Sequence, residues 1–175
     1  MPAHIAQRNA FGSFEGLRAG LPRDLEVRSV VLDGEIVCLD PDGRPNFNDL
    51  FYRRREPIFV AFDVLEASGR DLRHLPLMER KAELRRVLRP RLSHTLHCSH
   101  VEGDGEALFE LTCRQDLEGI VAKWKHGPYV SGREATTWFK IRNREYSQWQ
   151  FREQMFERSH ETSFGSRMGR VCCGL

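Results

Sequence analysis

The amino-acid sequence predicts an α+β fold with mostly antiparallel sheets flanked by helices. Strand-length apolar runs lie at residues 28–39, 57–65, 95–101, 119–123 and 136–142, and helical periodicity lies at residues 46–52, 77–88, 105–114 and 148–158. These short elements follow one another without the strict alternation that a parallel sheet requires. With 175 residues, the chain has room for one sizeable domain.

The strand at residues 57–65 and the helix at residues 77–88 have the clearest periodicity. Strict alternation in the strand places Ile58, Val60, Phe62 and Val64 on one face, and Phe59, Ala61, Asp63 and Leu65 on the other. In the helix, apolar residues recur at helical spacing with charges between them, at Leu77, Leu84, Val87 and Leu88. Asn46 is expected to cap the short helix that follows it.

Composition and charge exclude several classes of protein. Hydrophobic residues make up 40% of the chain and charged residues 30%, and the formal charge of +2 creates no strong global field for nucleic acid. The five cysteines show neither zinc-site nor disulfide-framework spacing, which favours a reducing compartment. No apolar stretch approaches the ~18 residues of a membrane span, and residues 1–10 lack a signal-peptide core. We therefore expect a cytoplasmic protein without membrane contact.

Three segments combine apolar residues with isolated charges, which are costly to bury without a partner. In the first, Glu35 lies in mid-strand after Gly34, a glycine that allows close approach of a ligand. Such a carboxylate suits a ribose hydroxyl or a hydrated metal. The alternative is an exposed strand face on which Glu35 forms a salt bridge.

The other two segments supply cations on predicted strands. Glu118 and Lys123 bracket the strand at residues 119–123, and their odd spacing puts them on opposite faces unless Glu118 lies at the strand entry or at a bulge. Lys140 and Arg142 share a face of the last strand, about 7 Å apart, which suits a triphosphate. The alternative for this pair is an amphipathic edge strand with solvated basic residues.

The order and spacing of these segments resemble the covalent nucleotidyltransferases, which include ATP-dependent DNA ligases, RNA ligases and mRNA capping enzymes. Within this superfamily, the motif residues are most similar to those of bacterial ATP-dependent DNA ligases of the end-joining type. The matching segments are Leu32-Asp33-Gly34-Glu35, Val60-Ala61-Phe62-Asp63-Val64-Leu65, Glu118-Gly119-Ile120-Val121-Ala122-Lys123 and Trp138-Phe139-Lys140-Ile141-Arg142. The resemblance implies an ATP-grasp-like adenylation domain over residues 1–158, with residues 159–175 as an irregular tail.

The resemblance also implies roles, residue by residue. Catalytic roles fall on Lys123 and Lys140, which would neutralise the phosphates, with Lys140 assisting the departure of pyrophosphate. Phe62 would stack on adenine, and on the residues alone the alternative for this ring is packing in the core. Glu35 and Glu118 would bind the divalent metal, and Arg8, Arg133 and Arg142 would join these residues in contacting the nucleotide. The implied cofactors are ATP and Mg²⁺ (or Mn²⁺), and the implied partners are nicked double-stranded DNA and end-joining repair proteins.

The sequence departs from the family at three points. The family's nucleophile is the lysine of a Lys-x-Asp-Gly motif upstream of the position that Arg8 occupies, and the 175 residues contain no such motif. We therefore expect an adenylation domain that is incomplete at its N-terminus and inactive as it stands, since loss of a nucleophile typically costs ~10³-fold or more. Glu134 stands where the family often has an arginine, and the oligonucleotide-binding-fold domain that usually follows is not recognisable.

Two further functions remain open on the sequence. The chain could be a pseudoenzyme that binds ATP or nicked DNA through the retained groups. It could also be a nucleotidyltransferase with another acceptor, as in RNA ligases and capping enzymes.

Overall fold

The computed structural model describes residues 14–130 and 137–149, and within them it shows a mixed α+β fold with two sheets. The larger sheet contains β1 (Val30–Val37), β2 (Ile58–Ala67), β3 (Arg70–Asp71) and β4 (Thr95–His97). The smaller sheet pairs β5 (Gly119–Lys123) with β6 (Trp138–Arg142). The helices are α1 (Glu15–Gly20), α2 (Phe47–Phe51), α3 (Leu77–Val87) and α4 (Gly105–Arg114), and a 3-10 helix (Leu21–Asp24) follows α1.

Strand β2 is the centre of the larger sheet. It pairs antiparallel with β1 and β3 and parallel with β4, so antiparallel pairing predominates, as the sequence predicted. Its residues from Val60 to Val64 are all buried. A strand covered on both faces reads as a continuous apolar run rather than an alternating one.

The strict alternation expected for β2 is wrong. Ala61 and Val64, which alternation places on opposite faces, pack in the same core cluster. The register with β1 shifts twice, because Leu32 pairs with Val64 after Val31 pairs with Glu66, and Gly34 pairs with Ala61 after Asp33 pairs with Asp63. Each shift is a bulge that re-aims the side chains of β2.

Helix α3 covers β2 and forms the main core. Its apolar face, with Leu84 and Val87, packs against Ala61, Val64 and Ala67 of the strand. The backbone N–H groups of Leu77 and Met78 donate to the carbonyls of Gly127 (3.0 Å) and Lys125 (3.2 Å). The loop after β5 therefore satisfies the first turn of α3, where Pro76 provides no side-chain cap.

Arg80 and Asp63 form a buried ion pair between α3 and β2. Both side chains are at most 1% exposed, and the two guanidinium–carboxylate contacts, Nε to Oδ1 and Nη2 to Oδ2, are each 2.9 Å long. Arg80 Nη1 also donates to the carbonyls of Leu75 (2.5 Å) and Gly127 (3.2 Å). One side chain thus joins the central strand, the covering helix and the loop that follows β5.

Several local predictions are confirmed. The observed bounds of α4 and β5 are those expected from the sequence, and Asn46 caps α2 by accepting from the Asp49 N–H at 3.1 Å. Strand β4 ends at His97, earlier than expected, while α1 and β3 were not expected. The predicted helix at residues 148–158 and the tail at residues 159–175 lie largely outside the described residues. No helix in the described part of the chain has the length and apolar character needed to cross a membrane.

Replacement of Arg80 by alanine tests the buried ion pair. Arg80→Ala leaves the Asp63 carboxylate buried without its counter-charge, and we expect a loss of about 3–5 kcal/mol in the free energy of unfolding, measured by urea denaturation. Arg86→Ala on the same helix removes an exposed contact with Glu83 and should cost at most about 1 kcal/mol. Equal losses for the two variants would contradict this account.

Candidate functional site

The two sheets meet through a cluster of aromatic rings. Phe62 of β2 contacts Trp138 of β6 edge-on, with ring centroids 5.9 Å apart and an interplanar angle of 76°. Tyr129, in the loop between β5 and β6, meets the other side of this cluster, 5.5 Å from the Trp138 centroid at 89°. Edge-to-face pairs of this kind contribute about 0.5–1.5 kcal/mol each beyond burial. The cluster therefore fixes the smaller sheet beside the central strand.

Lys123 places its ammonium group against this cluster. Its Nζ lies 3.5 Å from the Trp138 centroid and 4.2 Å from the Phe62 centroid, a cation–π arrangement with both rings. Burial lowers the pKa of Lys123 to about 8, although the carboxylate of Asp63 acts in the opposite direction. The ammonium group of Lys123 is partly desolvated, which disfavours its charged form. An anionic ligand beside it would stabilise that charged form.

Glu118 and Lys140 form a second polar pair in the smaller sheet. Glu118 lies immediately before β5, at the strand entry that its odd spacing from Lys123 required. Gly119 has φ +147°, and a Cβ there would collide with the carbonyl of Ile141 on β6, so only glycine permits this approach. The Nζ of Lys140 donates to Glu118 Oε1, and the Glu118 side chain is only 10% exposed. The structure thus brings Glu118 to Lys140.

Gly34, the residue before Glu35, determines how closely β1 approaches β2 at this segment. Glu35 lies on β1 opposite Val60, and it is partly buried. A Cβ at Gly34 would collide with the ring of Phe59 on β2. The glycine therefore permits close packing of two strands, and the ligand approach expected from the sequence is not its structural reason. The proposed contact of Glu35 with ribose or metal stays a prediction.

Of the three arginines predicted to contact the nucleotide, the structure describes only Arg142. The guanidinium of Arg142 lies 5.3 Å from the Trp149 ring centroid, so the aromatic ring covers this cation on the face that it shares with Lys140. Arg8 and Arg133 lie outside the described residues, and their nucleotide contacts stay predictions.

Asp33 and Tyr129 form a contact that sequence reasoning missed. The Tyr129 hydroxyl donates to Asp33 Oδ2 at 2.9 Å across 96 positions of sequence. Burial raises the pKa of Asp33, while the hydrogen bond from Tyr129 opposes that rise. Burial and the nearby Asp33 carboxylate raise the pKa of Tyr129, which keeps the hydroxyl protonated as a donor. A mid-strand carboxylate needs a donor, but nothing local in the sequence names Tyr129 as that donor.

The chain is similar to the proteins of a known family. A family model described as "ATP dependent DNA ligase domain" matches residues 17–142, and the chain belongs to this family. Over 128 residues it is 38% identical to a "Probable DNA ligase" of Streptomyces coelicolor, a match that covers 64% of this chain and 25% of that protein. It is also 34% identical, over 138 residues, to a "Multifunctional non-homologous end joining DNA repair protein LigD" of Mycobacterium tuberculosis, covering 76% of this chain and 17% of the relative.

Solved structures confirm the fold class. The chain superimposes on a structure titled "mycobacterial DNA ligase D complexed with ATP and MES" with a TM-score of 0.58 and 28% identity. This match covers 76% of the present chain and 43% of the other. The α+β nucleotidyltransferase fold inferred from the motifs is therefore confirmed, and the chain spans about a quarter or less of the length of the two curated relatives described above.

The pKa of Lys123 predicts a pH dependence of stability. A lysine in the unfolded chain titrates near about 10.4, whereas the pKa of Lys123 in the folded protein is lowered to about 8. Between these values the unfolded state binds more protons, so the free energy of unfolding should rise with pH. The rise should be smaller in Lys123→Met, as measured by urea denaturation at several pH values between 7 and 10.

The exposed Lys125 provides the matched control for this titration. Lys125→Met should keep the pH dependence of the unaltered protein. Lys81, whose pKa burial also lowers, is present in every variant and does not affect the comparison. Identical pH slopes for the unaltered protein and Lys123→Met would show that Lys123 is not held in its desolvated position.

Proposed function

We propose that the groups around the aromatic cluster, here called the ATP cleft, bind ATP as the nucleotide site of a DNA-ligase adenylation domain. The observation that carries this proposal is the Lys123 ammonium held between Phe62 and Trp138. The same pair of strands carries Glu118 and Lys140, which supply a carboxylate and a second lysine within one small sheet. The mycobacterial relative described above was solved with ATP, which supports the choice of nucleotide.

The charges of the cleft suggest how the nucleotide is held. Phe62 offers a ring for the adenine base, because every base has a π-face that stacks on an aromatic side chain. Lys123 and Lys140 neutralise the phosphates, and Lys140 stabilises the charge that develops as pyrophosphate departs. Arg8, Arg133 and Arg142 complete the proposed contacts. Binding requires Lys140 to exchange its contact with Glu118 for a phosphate oxygen.

When Lys140 leaves Glu118 for a phosphate oxygen, the Glu118 carboxylate becomes available to a divalent metal. In the described ranges, no group of three or more His, Cys, Asp or Glu side chains is arranged to hold a metal ion. Mg²⁺ is commonly held by one or two carboxylates together with substrate phosphates. Glu118 and Glu35 fit that limited role, and we assign them to Mg²⁺ or Mn²⁺ bound together with ATP. The metal would neutralise phosphate charge.

The proposed acceptor is nicked double-stranded DNA, in agreement with the family. End-joining repair proteins are proposed partners, because one relative is described as a non-homologous end-joining repair protein. An acceptor of this kind supports the cytoplasmic location expected from the sequence. Since the 175 residues contain no Lys-x-Asp-Gly motif, we propose that this polypeptide by itself binds ATP without forming a lysyl adenylate.

The ATP site is tested by calorimetric titration with ATP and Mg²⁺. Lys140→Ala removes one charged phosphate contact, so we expect the dissociation constant to rise by about tenfold or more. Lys125→Ala is the matched control, because Lys125 is half exposed and pairs with Glu102 away from the aromatic cluster. Equal ATP affinity for Lys140→Ala and the unaltered chain would contradict the assigned site.

Incubation with α-labelled ATP and Mg²⁺ separates binding from covalent transfer. We expect no labelled protein band on a denaturing gel. A labelled band would contradict the proposal that the chain alone forms no adduct, whatever the outcome of the titration.

A further inference from the structure

A concave surface lies at the C-terminal end of α3, and it shares no residue with the proposed ATP cleft. Its volume is about 290 Å³, and its lining residues are Arg85, Leu88, Arg89, Pro90, Leu92 and His97. Leu88 and Leu92 provide an apolar floor, while the two arginines are exposed at the rim. Guanidinium groups next to an apolar surface attract an anion more strongly than they do in open water, because screening by water is reduced there.

His97 carries an unsatisfied polar atom in this surface. Its Nε2 is buried and has no hydrogen-bond partner in the part of the chain that the structure describes, which is rare for a polar atom in a folded protein. His97 pairs with Ala61 of β2, and Ala61 packs in the core beneath α3. The imidazole is therefore placed at the end of the helix beside Arg85, where a bound ligand would satisfy Nε2.

The charges acting on His97 are all positive. Burial lowers the pKa of His97, and the nearby cations Lys81, Arg85 and His100 lower it further. Glu83 is the acidic residue of α3 that lies closest in sequence to Arg85, and it is already paired with Arg86. Basic residues in the last turn of a helix complement its dipole, but that effect does not explain the unpaired Nε2 of the imidazole. None of the described residues that line this surface carries a negative charge.

We propose that Arg85, Arg89 and the Nε2–H of His97 bind a phosphate group. Among the described residues, the Arg85 side chain has no hydrogen-bond or ion-pair partner. Arg89 uses only its Nε, which donates to the Leu25 carbonyl at 3.0 Å, and its terminal nitrogens remain available. Two guanidinium groups and one imidazole N–H supply several donors to phosphate oxygens, a geometry for which arginine is well suited. The phosphate belongs either to a free phosphate compound or to a nucleic-acid backbone.

Nuclear magnetic resonance of the histidine rings tests this site in the full 175-residue chain. We expect inorganic phosphate to cause a saturable shift of the His97 ring signals, assigned with His97→Gln, and to raise the pH at which the ring titrates. In Arg85→Ala the dissociation constant should increase about tenfold or more, since one charge-assisted contact is lost. Arg86→Ala is the matched control and should leave the affinity unchanged. The Arg85 side chain is exposed and has no polar partner in the described ranges, so its replacement should leave the fold intact.

A parallel titration with a short DNA duplex distinguishes the two sources of phosphate. A shift of His97 with the duplex supports a backbone phosphate as the ligand, and a shift with inorganic phosphate alone supports a free compound. No saturable shift with either ligand, or equal affinities for Arg85→Ala and Arg86→Ala, would overturn the proposal. Neither result depends on the ATP cleft, because Lys140→Ala should bind phosphate at this site as tightly as the unaltered chain.

Discussion

The Arg80–Asp63 ion pair is the contact on which the positions of the other elements depend. It lies in the core, it joins β2 to α3, and through the Gly127 carbonyl it also reaches the loop after β5. Removing two charges from water is costly, and only a fully hydrogen-bonded geometry offsets that cost. A pair of this kind tolerates few alternative arrangements. It therefore specifies how the helix and the loop approach the central strand.

The proposed ATP site depends on this arrangement. The loop held by Arg80 continues to Tyr129, whose ring supports Trp138 and whose hydroxyl reaches Asp33 on β1. Trp138 in turn contacts Phe62 and the ammonium group of Lys123. A chain of contacts thus runs from the buried ion pair to the cation of the proposed ATP site. No strand of the smaller sheet pairs with the larger sheet in the described ranges. The smaller sheet is therefore positioned by these side chains and by the backbone hydrogen bonds between the loop after β5 and the start of α3.

Local signals in the sequence were sufficient for much of the fold. The helix α4 and the strand β5 were located correctly because periodicity and flanking residues mark both ends. The motif order also identified the family, which the family model and the relatives confirm. The faces of β2 were assigned incorrectly, since its two bulges arise from pairing with β1 and leave no local mark in the apolar run.

Sequence reasoning identified the residue types of the candidate site better than it identified the contacts between them. Glu118 lies at the strand entry, one of the two positions that would let it share a site with Lys123, but its pairing with Lys140 depends on the register of β5 and β6. The contact between Tyr129 and Asp33 spans 96 positions and could not be inferred from spacing. One signal was present and was not used: Asp63 in a buried strand and Arg80 on the apolar face of a helix are two costly charges that require each other.

Photolabelling with an 8-azido analogue of ATP tests most directly whether the aromatic cluster is the nucleotide site. After irradiation and proteolysis, mass spectrometry identifies the labelled peptides. The account predicts that the label lies on the peptides that contain Phe62 and Trp138, and that excess ATP prevents labelling. Labelling confined to other peptides, or labelling of these peptides that ATP does not reduce, would contradict it.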